Sequence, residues 1–177
     1  MSKNFDLDAA IRKIPDYPKE GILFFDITSI LTNPAAFGFC IDRMVELYGE
    51  AAISAVAGIE SRGFIFAAPL AARLGIPLIL VRKAGKLPGE TYREDYELEY
   101  GHAAVEIHKS DVPRGGNVLL IDDLIATGGT LRAARKILEE GGAVVKKVFG
   151  VIGLPFLKFR ERLPGVEVTT LVDYDSE

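Results

Sequence analysis

The sequence contains no tryptophan, one cysteine and two histidines among its 177 residues. A single cysteine, Cys40, cannot form an intramolecular disulfide, and its apolar neighbours predict a buried thiol in a reducing compartment. The usual zinc sites need three or four closely spaced cysteine and histidine ligands, which this sequence does not supply. A disulfide-rich secreted domain and a zinc-bound fold of that kind are therefore excluded.

Long apolar runs are also missing. The sequence has no stretch of about 18 uncharged apolar residues, and residues 1–14 lack the apolar segment of a signal peptide. We therefore expect a cytoplasmic protein without a membrane partner.

Positive charge is in short supply as well, because 21 lysine and arginine residues face 25 aspartate and glutamate residues, for a net charge of −4. A nucleic-acid surface held by phosphate contacts needs an excess of basic residues. We therefore expect no nucleic-acid partner, and any anion site must be local.

What the sequence does contain is enough apolar residues, 49% of the total, to form one core in a chain of single-domain length. No repeat or linker divides the sequence, so we treat residues 1–177 as one domain. The predicted strands are 53–59, 77–82, 117–122, 144–152 and 166–172. A helical pattern at 34–48 precedes them, and further helical patterns lie between strands at 66–75, with Gly75 as the C-cap, and at 131–142. This alternation predicts an α/β domain with a mainly parallel β-sheet flanked by helices, whose ligands bind at the carboxyl ends of the strands.

The N-terminal part of the sequence has two helical patterns. Leu7, Ile11 and Ile14 lie at helical spacing and predict a short amphipathic helix. Asn33 followed by Pro34 predicts the start of a second helix, because asparagine caps helices and proline is favoured at the first helical position.

The middle of the sequence predicts a loop and a hairpin. Residues 83–95 are polar and rich in glycine, proline and charge, which is typical of a long loop. Segments 96–100 and 103–108 alternate with period two and predict a β-hairpin joined through Gly101 and His102. This hairpin could cover an opening in the fold.

The pattern richest in chemistry lies at 118–130, where two adjacent carboxylates, Asp122 and Asp123, follow an apolar strand and precede a small-residue turn and a helix. The turn consists of Ala126, Thr127, Gly128, Gly129 and Thr130. Glycines let successive backbone N–H groups converge on an anion, and the helix N-terminus adds partial positive charge. Phosphate would repel the carboxylates, so they must serve another part of the same ligand, such as vicinal hydroxyls or a metal bound to them. The pattern predicts a sugar-phosphate site.

An ordinary strand-to-helix turn is the alternative, with Asp123 as a helix cap and both glycines chosen for tight geometry. The sequence has neither G-x-x-x-x-G-K-[ST] nor a G-x-G-x-x-G that follows a strand. A P-loop and a dinucleotide-binding fingerprint are therefore excluded.

In these residues the sequence resembles the type I phosphoribosyltransferases, and the residues ATGGT (126–130) are similar to the corresponding residues of members that use adenine. Further segments resemble the same family in the same order: IPDYPKEGILFFDIT (14–28), GIESRGF (58–64), RKAGKLPGETY (82–92) and LEYGHAAVEIHK (98–109). The resemblance covers about residues 6–175. It implies the type I phosphoribosyltransferase fold, with a small N-terminal hood at about 1–33 and a flexible lid hairpin at about 83–102.

For phosphoribosyl pyrophosphate (PRPP), the resemblance implies that Asp122 and Asp123 hold the ribose hydroxyls while the turn binds the 5′-phosphate. Magnesium would be held mainly by the substrate and water, with these carboxylates as its candidate protein ligands. The residues implied for pyrophosphate are Glu60, Ser61, Arg62, Arg82 and Lys86, with a strained or cis peptide before Ser61. A guanidinium at the carboxyl end of a strand, as at Arg62, is also well placed to bind phosphate oxygens. On pattern alone, Arg62 and the basic residues at 82–86 would be ordinary surface.

For the base, the resemblance points to GILFFDIT (21–28). Backbone groups of Leu23 and Phe25 would bind the edge of adenine, and Phe24 would stack on its ring. A plain core strand is the alternative. Many relatives carry arginine at the position of Phe25 and glutamate at that of Gly153, so this sequence departs from the family at both.

Catalysis would fall to Glu99 and Tyr100, which lie where the family has a Glu-Tyr pair. The resemblance implies Glu99 as the general acid or base and places Tyr100 near the ring and the ribose. The alternation of the strand alone favours an exposed glutamate without a catalytic role.

The implied reaction is purine salvage, in which adenine and PRPP give AMP and pyrophosphate with Mg²⁺ as the cofactor. One alternative is transfer to a 6-oxopurine (hypoxanthine, guanine or xanthine), and a more distant one is a PRPP-sensing regulator without turnover. The family also implies a homodimer. Phe64, Ile65, Phe66 and Leu70 are apolar enough for a dimer surface or for burial within one subunit, and the pattern does not separate the two.

Overall fold

The computed structural model describes residues 5–98 and 101–176. Its strands are β1 (Arg12–Ile14), β2 (Phe24–Asp26), β3 (Ala55–Ile59), β4 (Leu78–Lys83), β5 (Thr91–Leu98), β6 (Gly101–His108), β7 (Asn117–Ile125), β8 (Val144–Gly153) and β9 (Glu167–Asp173). Its α-helices are α1 (Thr28–Leu31), α2 (Pro34–Tyr48), α3 (Gly63–Leu74) and α4 (Gly129–Glu140). Short 3-10 turns lie at Asp8–Ala10, Lys109–Asp111, Pro155–Leu157 and Phe159–Arg162.

The central sheet has seven strands in the order β5-β6-β4-β3-β7-β8-β9, and β1 and β2 form a separate pair. Strands β4, β3, β7, β8 and β9 run parallel, and the β5–β6 hairpin joins the β4 edge in antiparallel fashion. Strand β7 is buried on both faces: Leu120 packs in the cluster that contains the α4 residues, whereas Leu119 and Ile121 pack in the cluster that contains those of α2 and α3. The predicted α/β architecture with a mainly parallel sheet is confirmed. Because parallel strands end at one edge, the residues after β3, β4 and β7 lie close together.

Two predicted helix ends are confirmed. At the start of α2, Asn33 Oδ1 accepts hydrogen bonds from the N–H groups of Ala35 and Ala36 at 3.1 and 3.2 Å, and Pro34 occupies the first helical position. Helix α3 ends at Gly75, whose φ of +66° lies in the left-handed region that glycine adopts without a steric cost.

The predicted N-terminal helix is wrong. Asp8–Ala10 form a single 3-10 turn, and the chain then extends into β1, which pairs antiparallel with β2. Leu7 and Ile11 are both buried, so their spacing reflects burial rather than a helix. A short isolated helix is only marginally stable, whereas β1 gains backbone pairing and the Arg12 amide donates to Ser29 Oγ.

The predicted loop at 83–95 is shorter than expected, because β4 reaches Lys83 and β5 already begins at Thr91. Strand β5 lies at the edge of the sheet and carries an exposed ion pair between Arg93 and Asp95. Charged side chains are common on edge strands, where they oppose pairing with other chains. The polar sequence of this segment therefore reflects an edge strand and not a loop.

The predicted hairpin is present, and its closing residues differ from the prediction. Gly101 and His102 belong to β6 and do not join the two strands. Residues 99 and 100 lie outside the described residues. The hairpin lies against α4, where Glu94 and Lys136 form an ion pair at 2.7 Å.

Candidate active site

A cleft of about 420 Å³ opens at the carboxyl ends of β3, β4 and β7. Its lining residues are Ile59, Glu60, Ser61, Arg62, Val81, Lys83, Tyr96, Val105, Asp122, Asp123, Leu124 and Thr130. Six of the residues that the sequence analysis assigned to PRPP or pyrophosphate are therefore brought to one place.

The carboxylate pair lies near the carboxyl end of β7, which continues to Ile125. Asp123 is buried, and its N–H donates to Asp122 Oδ1 at 2.9 Å. The buried Oδ2 of Asp123 accepts no hydrogen bond from the described residues, although Arg62 Nε lies 2.8 Å away at ion-pair distance. This carboxylate therefore keeps acceptor capacity for a ligand.

Burial raises the pKa of both carboxyl groups. For Asp122 the adjacent Asp123 carboxylate raises the pKa further, because two like charges share one buried site. For Asp123 the Arg62 guanidinium opposes burial and holds the pKa lower than burial alone would. The pair is thus a site of concentrated negative charge that a hydroxyl donor or a cation would stabilise.

The approach of Arg62 to this pair depends on the glycine that follows it. A Cβ at Gly63 would lie 2.8 Å from the backbone oxygen of Ile121 and 3.3 Å from Asp122 Cα, so only glycine lets the start of α3 pack this closely on β7. The peptide bond between Glu60 and Ser61, just before Arg62, is cis, as the resemblance implied.

The small-residue turn leads directly into α4. Gly128 has φ +76° and precedes the first helical residue, Gly129. Asp123 lies inside β7 and does not cap α4, so the alternative of an ordinary capped turn is wrong on this point. Thr127 Oγ1 and Arg162 Nη1 both lie 3.7 Å from the position that a Cβ on Gly129 would take. Hydroxyl, guanidinium and helix N-terminus therefore meet at the turn, and sequence reasoning missed Arg162 because it comes from a distant 3-10 turn.

Glu60 uses its carboxylate within the protein. Its Oε2 accepts from Arg82 Nε at 3.0 Å and from the Lys83 amide at 2.7 Å. Burial alone would raise the pKa of Glu60, but these hydrogen bonds and the neighbouring charges outweigh it, and the pKa is lowered. Glu60 thus joins the ends of β3 and β4.

The basic residues at the end of β4 and in the turn after it are placed only partly as expected. Lys83 lines the cleft, although the sequence analysis gave it no role, whereas Lys86 is exposed and outside the lining. The Lys86 amide donates to Glu106 on β6. The basic cluster at 82–86 could have indicated Lys83 as an anion-binding residue. The position of Lys83 at the cleft, however, depends on where β4 ends.

Tyr96 on β5 is a cleft residue that the sequence analysis did not identify. Its hydroxyl accepts a hydrogen bond from Thr130 Oγ1 at 3.1 Å, which joins the hairpin to the small-residue turn. The phenolic O–H of Tyr96 can in turn donate to an anion bound at the turn.

We expect Tyr96→Phe to raise the KM for PRPP about fivefold with little change in the KM for adenine, because one hydrogen bond of this kind is worth about 1 kcal/mol. Steady-state kinetics with each substrate varied in turn measures the effect. Tyr92→Phe is the matched control, since Tyr92 lies on the same strand and packs on the core away from the cleft. Equal PRPP KM values in the Tyr96→Phe variant and the wild type would contradict this role.

The residues predicted to bind the base lie on or beside β2. Phe25 is buried and stacks on Tyr174 with ring centroids 3.8 Å apart, and the Tyr174 hydroxyl donates to Asp8. The side chain of Phe25 therefore packs the N-terminal segment against the end of the chain. This contact gives a structural reason for phenylalanine where many relatives carry arginine. Phe24 is half-buried and meets Tyr17 edge-on at 5.1 Å.

None of Leu23, Phe24 and Phe25 lines the cleft as described, so their contact with a base stays a prediction. Hydrogen bonds from Thr28, the charge of Arg12 and, most weakly, the charge of Arg62 lower the pKa of the neighbouring Asp26. The end of β2 is therefore close to Arg62.

Two other sequence features can be placed. The predicted catalytic pair, Glu99 and Tyr100, lies outside the described residues, so its role stays a prediction. At Gly153 an added Cβ would collide with Oδ1 of Asp173, so a carboxylate from β9 fills the space beside this glycine.

Within residues 5–98 and 101–176, no three aspartate, glutamate, histidine or cysteine side chains are grouped closely enough to hold a metal ion by themselves. No helix in the same part of the chain is long and apolar enough to cross a bilayer.

Comparison with known proteins identifies the class. The phosphoribosyl transferase domain family matches residues 26–151, and the chain belongs to that family. The fold is that of the type I phosphoribosyltransferases, as the sequence implied.

Individual similar proteins narrow the class to adenine phosphoribosyltransferases. The chain is 63% identical over 177 residues to the adenine phosphoribosyltransferase of Treponema denticola, covering 100% of this chain and 93% of that one. The crystal structure of adenine phosphoribosyltransferase from Thermoanaerobacter pseudethanolicus matches with a TM-score of 0.90 and 43% identity, covering 96% and 98% of the two chains. That of the Saccharomyces cerevisiae enzyme, complexed with an imino-altritol bisphosphate and adenine, matches with a TM-score of 0.87 and 43% identity over 94% and 96%.

Proposed function

We propose that this protein is an adenine phosphoribosyltransferase, which transfers the 5-phosphoribosyl group of PRPP to adenine and releases pyrophosphate, with AMP as the product of purine salvage. The observation that carries this proposal is the carboxylate pair near the carboxyl end of β7, followed by the glycine turn into α4. The similarity to adenine phosphoribosyltransferases extends over the full length of the chain.

The ribose 5-phosphate part of PRPP fits the two halves of this site. The N–H groups of the turn and of the first residues of α4 would bind the 5′-phosphate, and the hydroxyl of Thr130 and the guanidinium of Arg162 would add donors and charge. Asp122 and Asp123 would accept hydrogen bonds from the ribose hydroxyls. Asp123 Oδ2 has an ion pair with Arg62 but accepts no hydrogen bond from the described residues, which supports this assignment.

Magnesium fits the same carboxylates as a partly hydrated ion. Two carboxylates are too few to enclose Mg²⁺, which usually keeps several waters and binds substrate phosphates. Asp122 and Asp123 would hold it together with the substrate. Bound there, the ion would neutralise charge on the leaving pyrophosphate.

The leaving group would be stabilised from the other side of the cleft. As the bond to pyrophosphate breaks, positive charge develops on the ribose and negative charge on the pyrophosphate oxygens. Arg62, Arg82, Lys83 and Lys86 supply positive charge at the ends of β3 and β4, and fixed charges of this kind stabilise the transition state most effectively. The hairpin over the cleft would exclude water while N9 of adenine faces C1 of the ribose.

The acceptor base provides the direct test. Catalytic efficiency measured with adenine, hypoxanthine, guanine and xanthine, at saturating PRPP and Mg²⁺, should be highest for adenine. A pocket built for the exocyclic amine of adenine leaves its own groups unpaired when a 6-oxopurine binds. A higher efficiency with any 6-oxopurine would overturn the proposal.

We also propose a cytoplasmic homodimer. Cys40 is a buried free thiol, which suits a reducing compartment. Of the apolar residues at the start of α3, Phe66 and Leu70 belong to the core of the chain itself, whereas Ile65 remains 37% exposed. Leu80, on β4, is 36% exposed and adds apolar surface.

Sedimentation over a wide concentration range, with activity assayed in parallel, tests the dimer. The expected result is a dimer in which Ile65→Asp weakens association, because a charge at a buried apolar contact is costly. A fully active monomer at all concentrations would refute it.

A further inference from the structure

Among the described residues, two charged residues are buried: Asp123 in the carboxylate pair, and Glu106 on β6. Glu106 is 5% exposed and lies opposite Arg82 in the register of β4 and β6. Carboxylates are rarely buried unless their charge is compensated. The contacts of Glu106 therefore call for a functional or structural explanation.

Glu106 is compensated mainly by backbone N–H groups, and the charge of Arg93, its cross-strand neighbour on β5, adds to this. Its Oε1 accepts hydrogen bonds from the amides of Lys86 and Leu87, each at 2.9 Å. Burial alone would raise the pKa of Glu106, but the N–H groups of Leu87, Gly85 and Lys86 outweigh it and the pKa is lowered. The carboxylate is thus an ionised anchor for the turn that follows β4.

The same turn is anchored at its other end by the second carboxylate, Glu60, through the amide of Lys83. Both acids bind main-chain N–H groups on either side of Ala84, whose own amide donates to Ala104 on β6. Backbone between Lys83 and Leu87 is therefore held at successive points.

The way this turn is anchored leaves the charges of its lysine side chains available. Neither Lys83 nor Lys86 forms an ion pair with another described residue, and both side chains are exposed. A glutamate that bound the lysine ammonium groups would neutralise them, whereas Glu106 fixes the chain and leaves them free for an anion. A pyrophosphate group needs such charges at fixed positions.

We propose that Glu106 is a positioning residue for the pyrophosphate end of the cleft: it holds the turn from Lys83 to Leu87 so that Lys83 lines the cleft and the Lys86 ammonium can reach the leaving group. The inference rests on the proposed function for the identity of the anion. The anchoring of the turn itself does not depend on it.

Glu106→Gln and Glu106→Ala test the proposal, with Asp95→Asn as the matched control, because Asp95 is an exposed hairpin carboxylate outside the cleft. Hydrogen bonds to a charged acceptor are worth about 1.5–3 kcal/mol, so the alanine variant should weaken binding of magnesium pyrophosphate and raise the KM for PRPP at least about tenfold. Glutamine keeps an accepting oxygen and should restore most of the loss. The KM for adenine should stay within about twofold, since the segment proposed to bind the base, Leu23 to Phe25, is separate from this turn.

Amide hydrogen exchange without substrate gives a readout independent of activity. The amides of Lys86 and Leu87 should exchange faster in Glu106→Ala and Glu106→Gln than in the Asp95→Asn protein. Unchanged exchange, unchanged pyrophosphate binding, or an equal rise in the KM values of both substrates would overturn the proposal. If wild-type protein binds no pyrophosphate but the exchange result holds, the assigned anion is wrong and the proposed function fails with it, while the anchor stands.

Discussion

Gly128→Val is expected to lower kcat/KM for PRPP by at least about a hundredfold, because it removes donors aimed at a phosphate in the transition state. Gly128 has φ +76°, and a Cβ there would lie 3.3 Å from both Cβ and the backbone oxygen of Phe159. A valine must therefore move the turn away from Phe159, which is fully buried, and misplace the N–H groups that lead into α4. Steady-state kinetics and titration with PRPP measure the loss.

Gly75→Val separates this effect from backbone strain. Gly75 has a similar φ of +66°, but nothing lies within 4 Å of an added Cβ and it terminates α3 away from the cleft. Both variants carry the strain of a left-handed valine, about 1–3 kcal/mol. Thermal unfolding should show a loss of stability in both variants, with PRPP use impaired only in Gly128→Val. Near-normal PRPP affinity in folded Gly128→Val would contradict the phosphate-binding role of the turn.

Asp123→Asn is expected to reduce kcat/KM for PRPP by at least about a hundredfold, since loss of one ligand-orienting carboxylate costs on the order of 10–100-fold and a transition-state charge contact as much again. The neutral amide is a weaker ligand for Mg²⁺ and offers one accepting oxygen where the carboxylate offers two. The free energy of unfolding should not fall, because the substitution removes one of two like charges from a buried site. Asp111→Asn, at an exposed acid outside the cleft, is the control.

The pH dependence of the carboxylate pair follows from its raised pKa values. Each group takes up its proton at a higher pH in the folded protein than in the unfolded chain, so the ionised pair costs stability at neutral pH. Acidification through the folded-state pKa values removes that cost and also removes the charge that PRPP and Mg²⁺ require.

Affinity for magnesium PRPP in the wild type should therefore decline on acidification before other carboxylates titrate. In Asp123→Asn the remaining decline should shift to lower pH, because Asp122 no longer has a charged neighbour. Binding titrations across pH measure both curves. An unshifted curve in the variant would show that the two carboxyl groups do not interact.

Local patterns in the sequence were sufficient to predict β7, the turn at Gly128, the N-cap of α2 and the C-cap of α3. Burial on two faces needs an uninterrupted apolar run, a left-handed turn needs glycine, and a helix start needs an acceptor such as Asn33; all of these requirements are met by residues adjacent in the chain. The N-terminal segment shows where local patterns fail. Leu7 and Ile11 are spaced as in a helix, but pairing with β2, more than ten residues away, makes the segment that follows them a strand.

The contacts that complete the candidate site join residues distant in sequence, and only the tertiary structure decided them. Tyr96 meets Thr130 across 34 residues, Glu106 meets Lys86 across 20, and Phe25 stacks on Tyr174 near the opposite end of the chain. The sequence by itself determined which residues could bind a sugar phosphate, because carboxylate, hydroxyl and glycine chemistry is carried by a single strand–turn–helix unit. The order of the strands and the docking of the hairpin decided which side chains anchor the turn from Lys83 to Leu87 and which contact the small-residue turn. Hydrophobic periodicity could not decide this, because it specifies the buried face of an element but not its neighbour.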